Sequence, residues 1–481
     1  MSNHFIYSTP IQMRTAVIMM SQLGRLPSRP RHETRLISEG VHALSYLVQR
    51  ALIRAKSNDS QLKDTPPLSL FSCRLTTSSP SMTSPSSRTK VIIVGAGIAG
   101  PVLATFLKLK GYEPVVYERT SGVGDRGIGH GIAHNGLAVL DQIPGLLDSM
   151  EKSRLDRYIT YSAIEEDKRV LLDMPAKTPP GIHSTIVVRR AALHKAIIDI
   201  AVKNDVQIKW DHKLVDLEQH EDSVTVKFEN GTEDTASFVV GSDGLHSNTR
   251  ICLFGEQKAD YTGLVQTGGI APTPECLKEP RVLLNVYGNG MHIIALPVND
   301  TQTCWALTQS DPEESKESWN AVDNHIADEI KNSEAATWDH GISELIGTTE
   351  NFIKYGLYDR PELKTWHKGR VILIGDAAHP TSPHLGQGAN QALEDVNTLV
   401  TLLETYNISS SASPSTETLE TMFTEMEARR IPESSKVVKG ARRQGELRVV
   451  KGVEACIKRN NEYMEIWKNR ESLKKWVGNR D

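Results

Sequence analysis

Two short glycine-containing runs, which lie far apart in the 481-residue chain, have the residue types of a site that binds phosphate and hydroxyl groups. The first, at residues 91–100, has the spacing GxGxxG, and the second, at residues 369–380, contains a Gly-Asp pair that ends with Asp376. A glycine turn before a helix leaves backbone N–H groups free to bind phosphate, and an aspartate accepts hydrogen bonds from hydroxyl groups. Together the two runs predict one long cofactor that is bound at both of its ends.

The elements that flank the first run predict a βαβ unit that binds a dinucleotide. Residues 91–94 are apolar and strand-forming, residues 101–110 have a helical pattern, and a second strand at residues 114–117 leads to Glu118. In such a unit the glycines permit a tight turn and a close approach to pyrophosphate, and the carboxylate binds the adenosine ribose. The three glycines are Gly95, Gly97 and Gly100. The alternative is a chance GxGxxG in a loop, and the motif does not distinguish NAD from FAD.

The second run favours FAD, because it has the groups that a ribityl chain and a flavin ring require. Residues 370–374 are apolar, as in a buried strand, and stop at Asp376, and a glycine-rich turn at residues 386–390 begins a helical pattern. An aspartate at a strand end can hold ribityl hydroxyl groups, and the N–H groups of a helix start can stabilise a carbonyl that becomes anionic on reduction. The alternative is an ordinary strand, loop and helix in which the aspartate is only a cap.

A third run, at residues 238–250, leads from an apolar strand to an acidic turn at Asp243 and Gly244. With this run the chain resembles the single-component FAD-dependent aromatic hydroxylases, the group A flavoprotein monooxygenases that include salicylate hydroxylase and p-hydroxybenzoate hydroxylase. In that family the GxGxxG, Asp-Gly and Gly-Asp motifs occur in this order, as they do here. A smaller match at Arg190 resembles the family's Arg-x-x-Leu helix start. The resemblance spans residues 89 to about 435.

The resemblance implies that residues of every motif bind FAD. The glycines of the first run would hold the pyrophosphate, Glu118 the adenosine ribose and Asp376 the ribityl chain. The turn at residues 386–390 would border the isoalloxazine ring, and Pro383 would lie beside its reacting edge. The implied FAD contacts are Gly95, Gly97, Gly100, Glu118, Arg119, Gly131, Arg190, Asp243, Gly244, Asp376, Pro383, Gly386, Gly388, Ala389 and Asn390.

The family's chemistry implies an FAD-dependent monooxygenase that uses NAD(P)H and O2. A flavin C4a-hydroperoxide would hydroxylate or epoxidise a small electron-rich substrate, aromatic or enolic. No metal is predicted, because the five cysteines and 16 histidines show no clustering at ligand spacing. Two alternatives are a flavin oxidoreductase of the same fold without oxygen insertion and a non-catalytic binding protein with the FAD fold.

The expected fold is α/β, with a Rossmann-like FAD-binding domain interleaved with a mixed β-sheet substrate domain and followed by C-terminal helices. The predicted FAD-binding segments are residues 89–165, 185–260 and 355–435, and the predicted substrate segments are residues 166–184 and 261–354. A helix at residues 417–430 is expected to end before Pro432. The basic residues 436–481 are expected to form a solvated helical cap packed on the FAD-binding domain, with a membrane-surface anchor as the alternative.

The substrate contacts are expected on the strands between the second and third motifs of the family's order, Asp-Gly and Gly-Asp. Alternating apolar and polar residues predict these strands at residues 264–270, 281–287, 292–297 and 303–308. Side chains on them that could orient or deprotonate a phenol are Tyr287, His292, Asn285, Gln266 and Trp305. His379 and His384 are further candidates, because their loop follows Asp376. For each residue the alternative is a structural role, and without the strand register the sequence does not show which face points to the site.

Residues 1–88 fit no part of the flavoprotein pattern. Residues 57–88 are rich in Ser, Thr and Pro and are expected to be disordered, whereas residues 42–56 could form a basic helix. This arm resembles an organellar transit peptide, and the alternative is an over-long gene model in which Met82 is the true start. The remainder of the chain is acidic, which does not suggest nucleic-acid binding. No window holds 18 apolar residues, so no transmembrane span is predicted. The cytoplasm is the expected compartment.

Overall fold

The computed structural model describes residues 88–124, 127–313, 322–407 and 409–468. The predictions for the N-terminal arm, including the basic helix and the start at Met82, lie outside these residues. So does the end of the predicted C-terminal cap, from residue 469 onward.

The described chain alternates strands and helices, as the α/β prediction requires. The strands are β1 (Lys90–Val94), β2 (Glu113–Tyr117), β3 (Gly129–Ile132), β4 (Ser153–Arg154), β5 (Arg157–Ser162), β6 (Arg169–Pro175), β7 (Ile186–Arg189), β8 (Gln207–Lys209), β9 (Leu214–Gln219), β10 (Val224–Phe228), β11 (Glu233–Ala236), β12 (Phe238–Gly241), β13 (Asp260–Pro272), β14 (Val282–Tyr287), β15 (Met291–Pro297), β16 (Gln302–Ser310), β17 (Ile353–Asp359), β18 (His367–Lys368) and β19 (Val371–Leu373).

The α-helices lie between and after these strands. They are α1 (Ala99–Leu109), α2 (His134–Leu140), α3 (Arg190–Lys203), α4 (Asn248–Phe254), α5 (Glu275–Lys278), α6 (Asn324–Lys331), α7 (Ile342–Thr348), α8 (Gly388–Tyr406), α9 (Thr416–Arg448) and α10 (Val453–Lys468).

The first sheet brings the three motifs to one edge. Its order is β18-β19-β12-β1-β2-β8, and all neighbours except β18 and β19 are parallel. The central strands are buried on both faces, which explains their continuous Val and Ile runs. Because β1, β12 and β19 are adjacent and parallel, the turns that follow them leave the sheet at the same edge. Those turns carry Gly95, Asp243 and Asp376. Gly95 and Asp376, which are 281 positions apart in sequence, therefore lie at the same edge of the sheet.

The second sheet is mixed and has the order β17-β13-β16-β15-β14-β5-β6, in which β5 and β14 are parallel and the other pairs antiparallel. The four strands predicted at its centre are confirmed as β13 to β16. One face packs on α5, α6 and α7 through an apolar cluster that includes Trp305 and Ile342. One predicted domain limit differs from the sheet boundary. Residues 89–165 are predicted to belong to the FAD-binding domain, but β5, which lies within them, is a strand of the second sheet.

The two sheets are interleaved in the chain, because β5 and β6 lie between strands of other sheets and β13 to β17 separate β12 from β18 and β19. The predicted α/β class with a mixed second sheet is therefore confirmed. Among the described residues, no helix has the length and apolar composition that a membrane span requires.

The C-terminal helices correct two predictions. The helix predicted at residues 417–430 does not end before Pro432, because α9 continues through this proline to Arg448. Packing on both sides of the proline compensates for the missing N–H group: the Arg430 guanidinium binds the buried Asp395, and Arg442 pairs with Asp359.

The second correction concerns where the predicted cap packs. Helix α10 lies against the seven-stranded sheet, where Tyr463 contacts Thr160 and Asn460 donates to Ser162 and Asp167. The sequence instead predicts that this segment packs on the FAD-binding domain. Since Asn460 is fully buried, this helix is also more than a solvated cover.

Candidate active site

The turn after β1 requires glycine at two of its three motif positions. Gly95 has a φ of +106°, and a Cβ atom there would lie 2.5 Å from the carbonyl oxygen of Ser242. A Cβ atom at Gly100 would lie 2.0 Å from the Gly95 oxygen. These glycines therefore serve the packing of the turn against the neighbouring strand ends.

Gly97 is different, because its surroundings are open. A Cβ atom at this position would meet no heavy atom within 4 Å. The helix α1 that follows has Ile98 before its first turn and no side chain that caps its N–H groups. An open glycine next to uncapped N–H groups fits an anion such as a pyrophosphate. These residues fit the FAD that the motif predicts.

Glu118 connects the first two turns of the parallel sheet. Its carboxylate accepts hydrogen bonds from the backbone N–H groups of Ala96 at 2.8 Å and Thr120 at 3.0 Å. A carboxylate has about four acceptor positions, so hydroxyl groups of a ribose can still bind. Arg119 follows on the exposed side of the turn. His194, which no sequence motif indicates, contacts the same turn, with its Nε2 atom 2.6 Å from the Ala96 oxygen.

The Asp-Gly turn after β12 is held by its own helix. Asp243 accepts hydrogen bonds from the Ser247 hydroxyl at 2.5 Å and from the Thr249 N–H at 2.9 Å, at the start of α4. Burial raises the pKa of Asp243 in spite of these hydrogen bonds. Ser242 donates to the Val94 oxygen at 2.9 Å and so fixes the turn against the first motif. Gly244, with a φ of +81°, is open on the Cβ side.

The Gly-Asp turn after β19 presents its aspartate to the exterior. Gly375 adopts a φ of +58°, which favours glycine, and its N–H group donates to Asp395 at 2.9 Å. Asp376 is exposed, and its Oδ1 atom lies 3.9 Å from the Cβ position of Gly388, the first residue of α8. Gly386, in the left-handed conformation, has open space around it. This arrangement has room for a polyol chain between the aspartate and the helix start.

The start of α8 is tied to the segment that carries Gly131. The buried Asn390 donates to the carbonyl oxygens of Gly131 at 3.2 Å and Gly386 at 2.8 Å, and it accepts from the Ala133 N–H at 3.0 Å. Its amide is thus used to hold the two backbone segments together. Ala389, beside it, is partly buried and packs on the core of the first sheet.

Arg190 opens helix α3 beside the glycine-rich segment that includes Gly127. A Cβ atom at Gly127 would lie 2.5 Å from the Arg190 Cδ atom, so only glycine leaves space for the Arg190 side chain. The nearby His130 is partly buried, and this burial together with the Arg190 charge lowers its pKa to about 4. The segment is therefore positively charged at Arg190 and neutral at His130 near pH 7.

A cavity of about 150 Å³ lies between the seven-stranded sheet and the C-terminal helices. The sheet contributes the polar side chains of β5 and β14 on one face. His384, next to Pro383 in the one-turn helix Pro383–Leu385, forms part of the wall. The polar and aromatic side chains around the cavity are Tyr158, Thr160, Asn285, Tyr287, His384, Gln444, Arg448, Tyr463 and Trp467.

The strand register separates the candidate substrate contacts into two groups. Tyr287 of β14 lies opposite His292 of β15. His292 lies opposite Thr308 of β16, which in turn lies opposite Gln266 of β13. These four side chains therefore share one face of the sheet. Of them, Tyr287 lines the cavity, and His292 lies behind it with Nε2 3.0 Å from the Asn285 oxygen. Gln266 lies farther along the face and accepts a hydrogen bond from Tyr355 at 2.5 Å.

Trp305 lies on the opposite face of the sheet. Its indole N–H donates to the Thr349 hydroxyl at 2.8 Å, and its ring packs on Phe352 in the apolar cluster. It is fully buried there and does not line the cavity. The prediction that Trp305 faces the pocket is wrong. Trp305 and Thr308 are three residues apart on one strand, so their side chains point to opposite faces of the sheet.

The two loop histidines occupy different environments. The Nδ1 atom of His384 accepts a hydrogen bond from Arg448 at 3.0 Å at the cavity wall. Burial and the Arg448 charge hold the pKa of His384 well below its ordinary value. His379 instead binds Asp395 at 2.6 Å and packs against Trp366, away from this cavity. In the described ranges, no group of three or more His, Cys, Asp or Glu side chains could hold a metal ion.

Comparison with known proteins identifies similar chains. A family model described as an FAD binding domain matches residues 88–418. The chain is 32% identical over 327 residues to the 3-amino-4-hydroxybenzoate 2-monooxygenase PtnB3 of Streptomyces platensis, an alignment that covers 66% of this chain and 80% of that protein. It is 30% identical over 345 residues to the chloroplastic zeaxanthin epoxidase of Oryza sativa subsp. japonica, which covers 66% of this chain and 49% of that protein.

The fold is also similar to that of solved structures. The crystal structure of Klebsiella pneumoniae HpxO complexed with FAD and uric acid has a TM-score of 0.68 and 20% sequence identity. The match covers 81% of this chain and 95% of that one. At this identity the likeness concerns the fold.

Proposed function

The chain belongs to the family of FAD-dependent monooxygenases that contain this FAD binding domain, and we propose that it hydroxylates the ring of a small aromatic substrate. It is accordingly an FAD-dependent oxidoreductase. NAD(P)H as the reductant and O2 as the oxygen donor are part of the proposal, because their use is typical of this family. The cytoplasm is the proposed compartment, with an organelle as the alternative. The four cysteines in the described part of the chain, all free, support a reducing environment.

The proposed FAD contacts follow the geometry of the three turns. The open Gly97 and the uncapped start of α1 would hold the pyrophosphate, and Glu118 would accept from the ribose. The exposed Asp376 would bind the ribityl chain. The N–H groups around Gly388 would contact the ring, with Asn390 as a residue that positions the turn. FAD, when bound, supplies the redox chemistry that activates oxygen.

The size of the cavity is the observation that carries the proposed substrate class. A cavity of about 150 Å³ is one that holds a benzene molecule. It therefore has room for one aromatic ring. The relative from Streptomyces platensis is named for a single-ring substrate. Hydroxylation of one ring is the proposed reaction for this reason.

The side chains around the cavity would orient the ring and exclude water. Tyr287 accepts a hydrogen bond from Gln444 at 3.0 Å, which leaves its hydroxyl hydrogen for a substrate oxygen. His384 is neutral near pH 7 because of its lowered pKa. A neutral imidazole can take a proton from a substrate hydroxyl if its ring turns away from Arg448. His384 and Tyr287 are thus the proposed contacts of a phenolic group, and His292 would support them through Asn285.

The test is product analysis under isotopically labelled O2. The purified holoenzyme is mixed with single-ring phenols, indoles and enols, and NADPH and NADH oxidation is recorded with and without each compound. We expect substrate-stimulated oxidation and a product that carries one labelled oxygen. Unlabelled product with stimulated oxidation would indicate the flavin oxidoreductase without oxygen insertion. Purified protein that binds no flavin would indicate a binding protein instead.

A further inference from the structure

His194, on helix α3, binds the backbone of the turn that carries the first motif. Its Nε2 atom lies 2.6 Å from the Ala96 carbonyl oxygen. A carbonyl oxygen only accepts hydrogen bonds, so Nε2 carries the hydrogen and donates it. Glu118 binds the other polar group of the same residue, since it accepts from the Ala96 N–H at 2.8 Å. Both backbone polar groups of Ala96 are therefore bound by side chains.

The surroundings of His194 are residues that the motifs assign to FAD binding. His194 follows Arg190 by four positions on α3, so the two side chains share one face of the helix. The charges of Arg190 and Glu118 both act on the imidazole. Burial and the Arg190 charge lower the pKa of His194 below its ordinary value, although the Ala96 hydrogen bond and the Glu118 charge oppose this. The ring is therefore neutral near pH 7, and its one N–H group is the one that binds Ala96.

The hydrogen bond to Ala96 also sets the direction of the Gly97 N–H group, because the two groups belong to one peptide unit. A peptide unit is planar, and in its trans form the C=O and N–H groups point in opposite directions. His194 holds the C=O group at one end of this unit. The N–H group of Gly97 therefore points away from His194.

The Gly97 N–H group has a free position for an acceptor. Within the described ranges it donates to no backbone oxygen, and a Cβ atom at Gly97 would meet no heavy atom within 4 Å. Ile98, the residue before the first turn of α1, follows directly and has no side-chain bond to the helix start. A backbone N–H group beside open space at a helix start suits an anionic oxygen. The pyrophosphate of FAD supplies such an oxygen.

Without a bond to the Ala96 oxygen, this peptide unit would be free to rotate. Glycine has no Cβ atom and adopts positive and negative φ with similar ease, so the steric barrier at Gly97 is small. The unit on the other side of Gly95 is already held, because the Gly95 N–H donates to the Tyr117 oxygen at 2.7 Å. His194 provides the corresponding restraint for the unit between Ala96 and Gly97.

We propose that His194 is a positioning residue for FAD, which holds the Ala96 carbonyl so that the Gly97 N–H group is directed at the pyrophosphate. This inference rests on the FAD contacts of the proposed function. It assigns to His194 a role that acts through the backbone, without contact between the imidazole and the cofactor. The role requires a hydrogen-bond donor at the position of Nε2, and it requires no charge.

The first test uses the two Ala-Gly bonds of the chain, Ala96–Gly97 and Ala99–Gly100. In holoenzyme labelled with ¹³C at the alanine carbonyls and ¹⁵N at glycine, only these bonds give signals in an NMR spectrum that correlates each carbonyl with the next N–H. Gly97→Ala removes one signal and so assigns both. Gly100 is the internal control, since its signal reports the same turn without a bond to His194.

Two variants of His194 differ in the donor alone. Methionine and glutamine are unbranched side chains of similar length, and only glutamine ends in an N–H donor. We expect the Gly97 signal to move in His194→Met and to stay near its original position in His194→Gln, with the Gly100 signal unchanged in both. An unmoved Gly97 signal in His194→Met would overturn the proposal.

The second test measures the cofactor. We expect FAD to leave the diluted holoenzyme about tenfold faster in His194→Met, as for the loss of one hydrogen bond to a charged group, and at nearly the original rate in His194→Gln. The ³¹P signals of the bound pyrophosphate should shift in His194→Met alone. Lys195→Met, at the next and exposed position of α3, is the matched control and should change neither readout. Equal release rates and ³¹P signals in both His194 variants would contradict the role of the donor.

The failure of this inference is distinguishable from failure of the proposed function. Bound FAD and a product with labelled oxygen, together with a Gly97 signal that ignores His194→Met, would uphold the hydroxylase and overturn the positioning role. Purified protein that binds no flavin would overturn both. Should His194→Met not fold, His194→Asn replaces it, because its amide is too short to reach the Ala96 oxygen, and the comparison with His194→Gln then decides.

Discussion

The Nε2 atom of His379 lies 2.6 Å from Oδ2 of Asp395, the carboxylate oxygen that also accepts the Gly375 N–H at 2.9 Å. The other oxygen, Oδ1, accepts from Arg430 of α9 at 2.7 Å. The carboxylate is fully buried. One side chain on α8 therefore connects the turn before Asp376 to the long C-terminal helix, and His379 is a part of this support.

Asp395→Asn should destabilise the fold and loosen the Gly-Asp turn. The substitution leaves Arg430 and His379 without their common anion, and removal of one partner of a buried pair costs about 3 kcal/mol or more. We expect a lower free energy of unfolding in denaturant at neutral pH and faster release of FAD. Asp148→Asn, at an exposed position, is the control. Unchanged stability would show that the ion pairs are energetically neutral.

The same carboxylate should make the protein acid-sensitive. Burial alone would raise the pKa of Asp395, but His379 and Arg430 outweigh it and hold the pKa below the ordinary 3.8. A carboxylate with a lowered folded-state pKa stabilises the fold above its unfolded pKa, and this contribution is lost as the pH falls through the folded value. Unfolding temperatures measured downward from pH 3.8 should fall more steeply for the unaltered protein than for Asp395→Asn. Parallel curves would contradict the assignment.

The glycines of the first motif should respond differently to alanine. Gly97→Ala should leave the fold intact, since no protein atom lies within 4 Å of the new Cβ atom, but it should weaken FAD binding by filling the space next to the helix start. Gly100→Ala should disrupt the turn, because its Cβ atom would lie 2.0 Å from the Gly95 oxygen. Thermal unfolding and flavin retention distinguish the two.

Gly122→Ala is the control for these substitutions, because this glycine also has open space around it and lies outside the motif. Normal flavin retention in Gly97→Ala would argue against a pyrophosphate at this position. If Gly97→Ala lost as much stability as Gly100→Ala, its weaker FAD binding would be explained by a disrupted fold.

The sequence predicted the cofactor side of the protein because that side depends on local patterns. A strand, a glycine turn and a helix are contiguous, and parallel strands bring Gly95 and Asp376 to one edge by topology alone. The roles of Asp243 and Asn390 were less accessible. Both side chains bind backbone or side-chain groups that hold the turns, and these partners are set by tertiary packing.

The substrate side was predicted less well, for two physical reasons. A shift of one residue reverses the face of a strand, so Trp305 and Tyr287 could not be assigned to faces without the register. The C-terminal helices were a second source of error. Pro432 indicated a helix end, and a basic composition indicated a solvated surface, whereas Arg448 and Asn460 are buried because α9 and α10 close over the sheet.

Asp376→Ala should weaken the binding of FAD without a change in the fold. The side chain is exposed at the end of β19, so its removal leaves no cavity in the core. Each lost hydrogen bond to a ribityl hydroxyl contributes on the order of 1 kcal/mol, and two such bonds correspond to an increase in Kd of about thirtyfold. Flavin fluorescence during dialysis measures the loss. Asp148→Ala provides the comparison, and full retention of FAD by Asp376→Ala would contradict the ribityl assignment.

His384→Gln should make the protein less sensitive to mild acid. Burial and the Arg448 charge hold the folded-state pKa of His384 well below 6.5, so the fold favours the neutral ring. This contribution is fully present above the unfolded pKa and declines as the pH falls below 6.5, because the unfolded chain then takes up the proton. The unfolding temperature of the unaltered protein should therefore decrease on acidification through this range, and His384→Gln should decrease less. His325→Gln, at an exposed histidine, should follow the unaltered protein. If both variants have the same pH dependence, His384 is not held neutral in the cavity wall, and its proposed contact with a substrate hydroxyl fails with it.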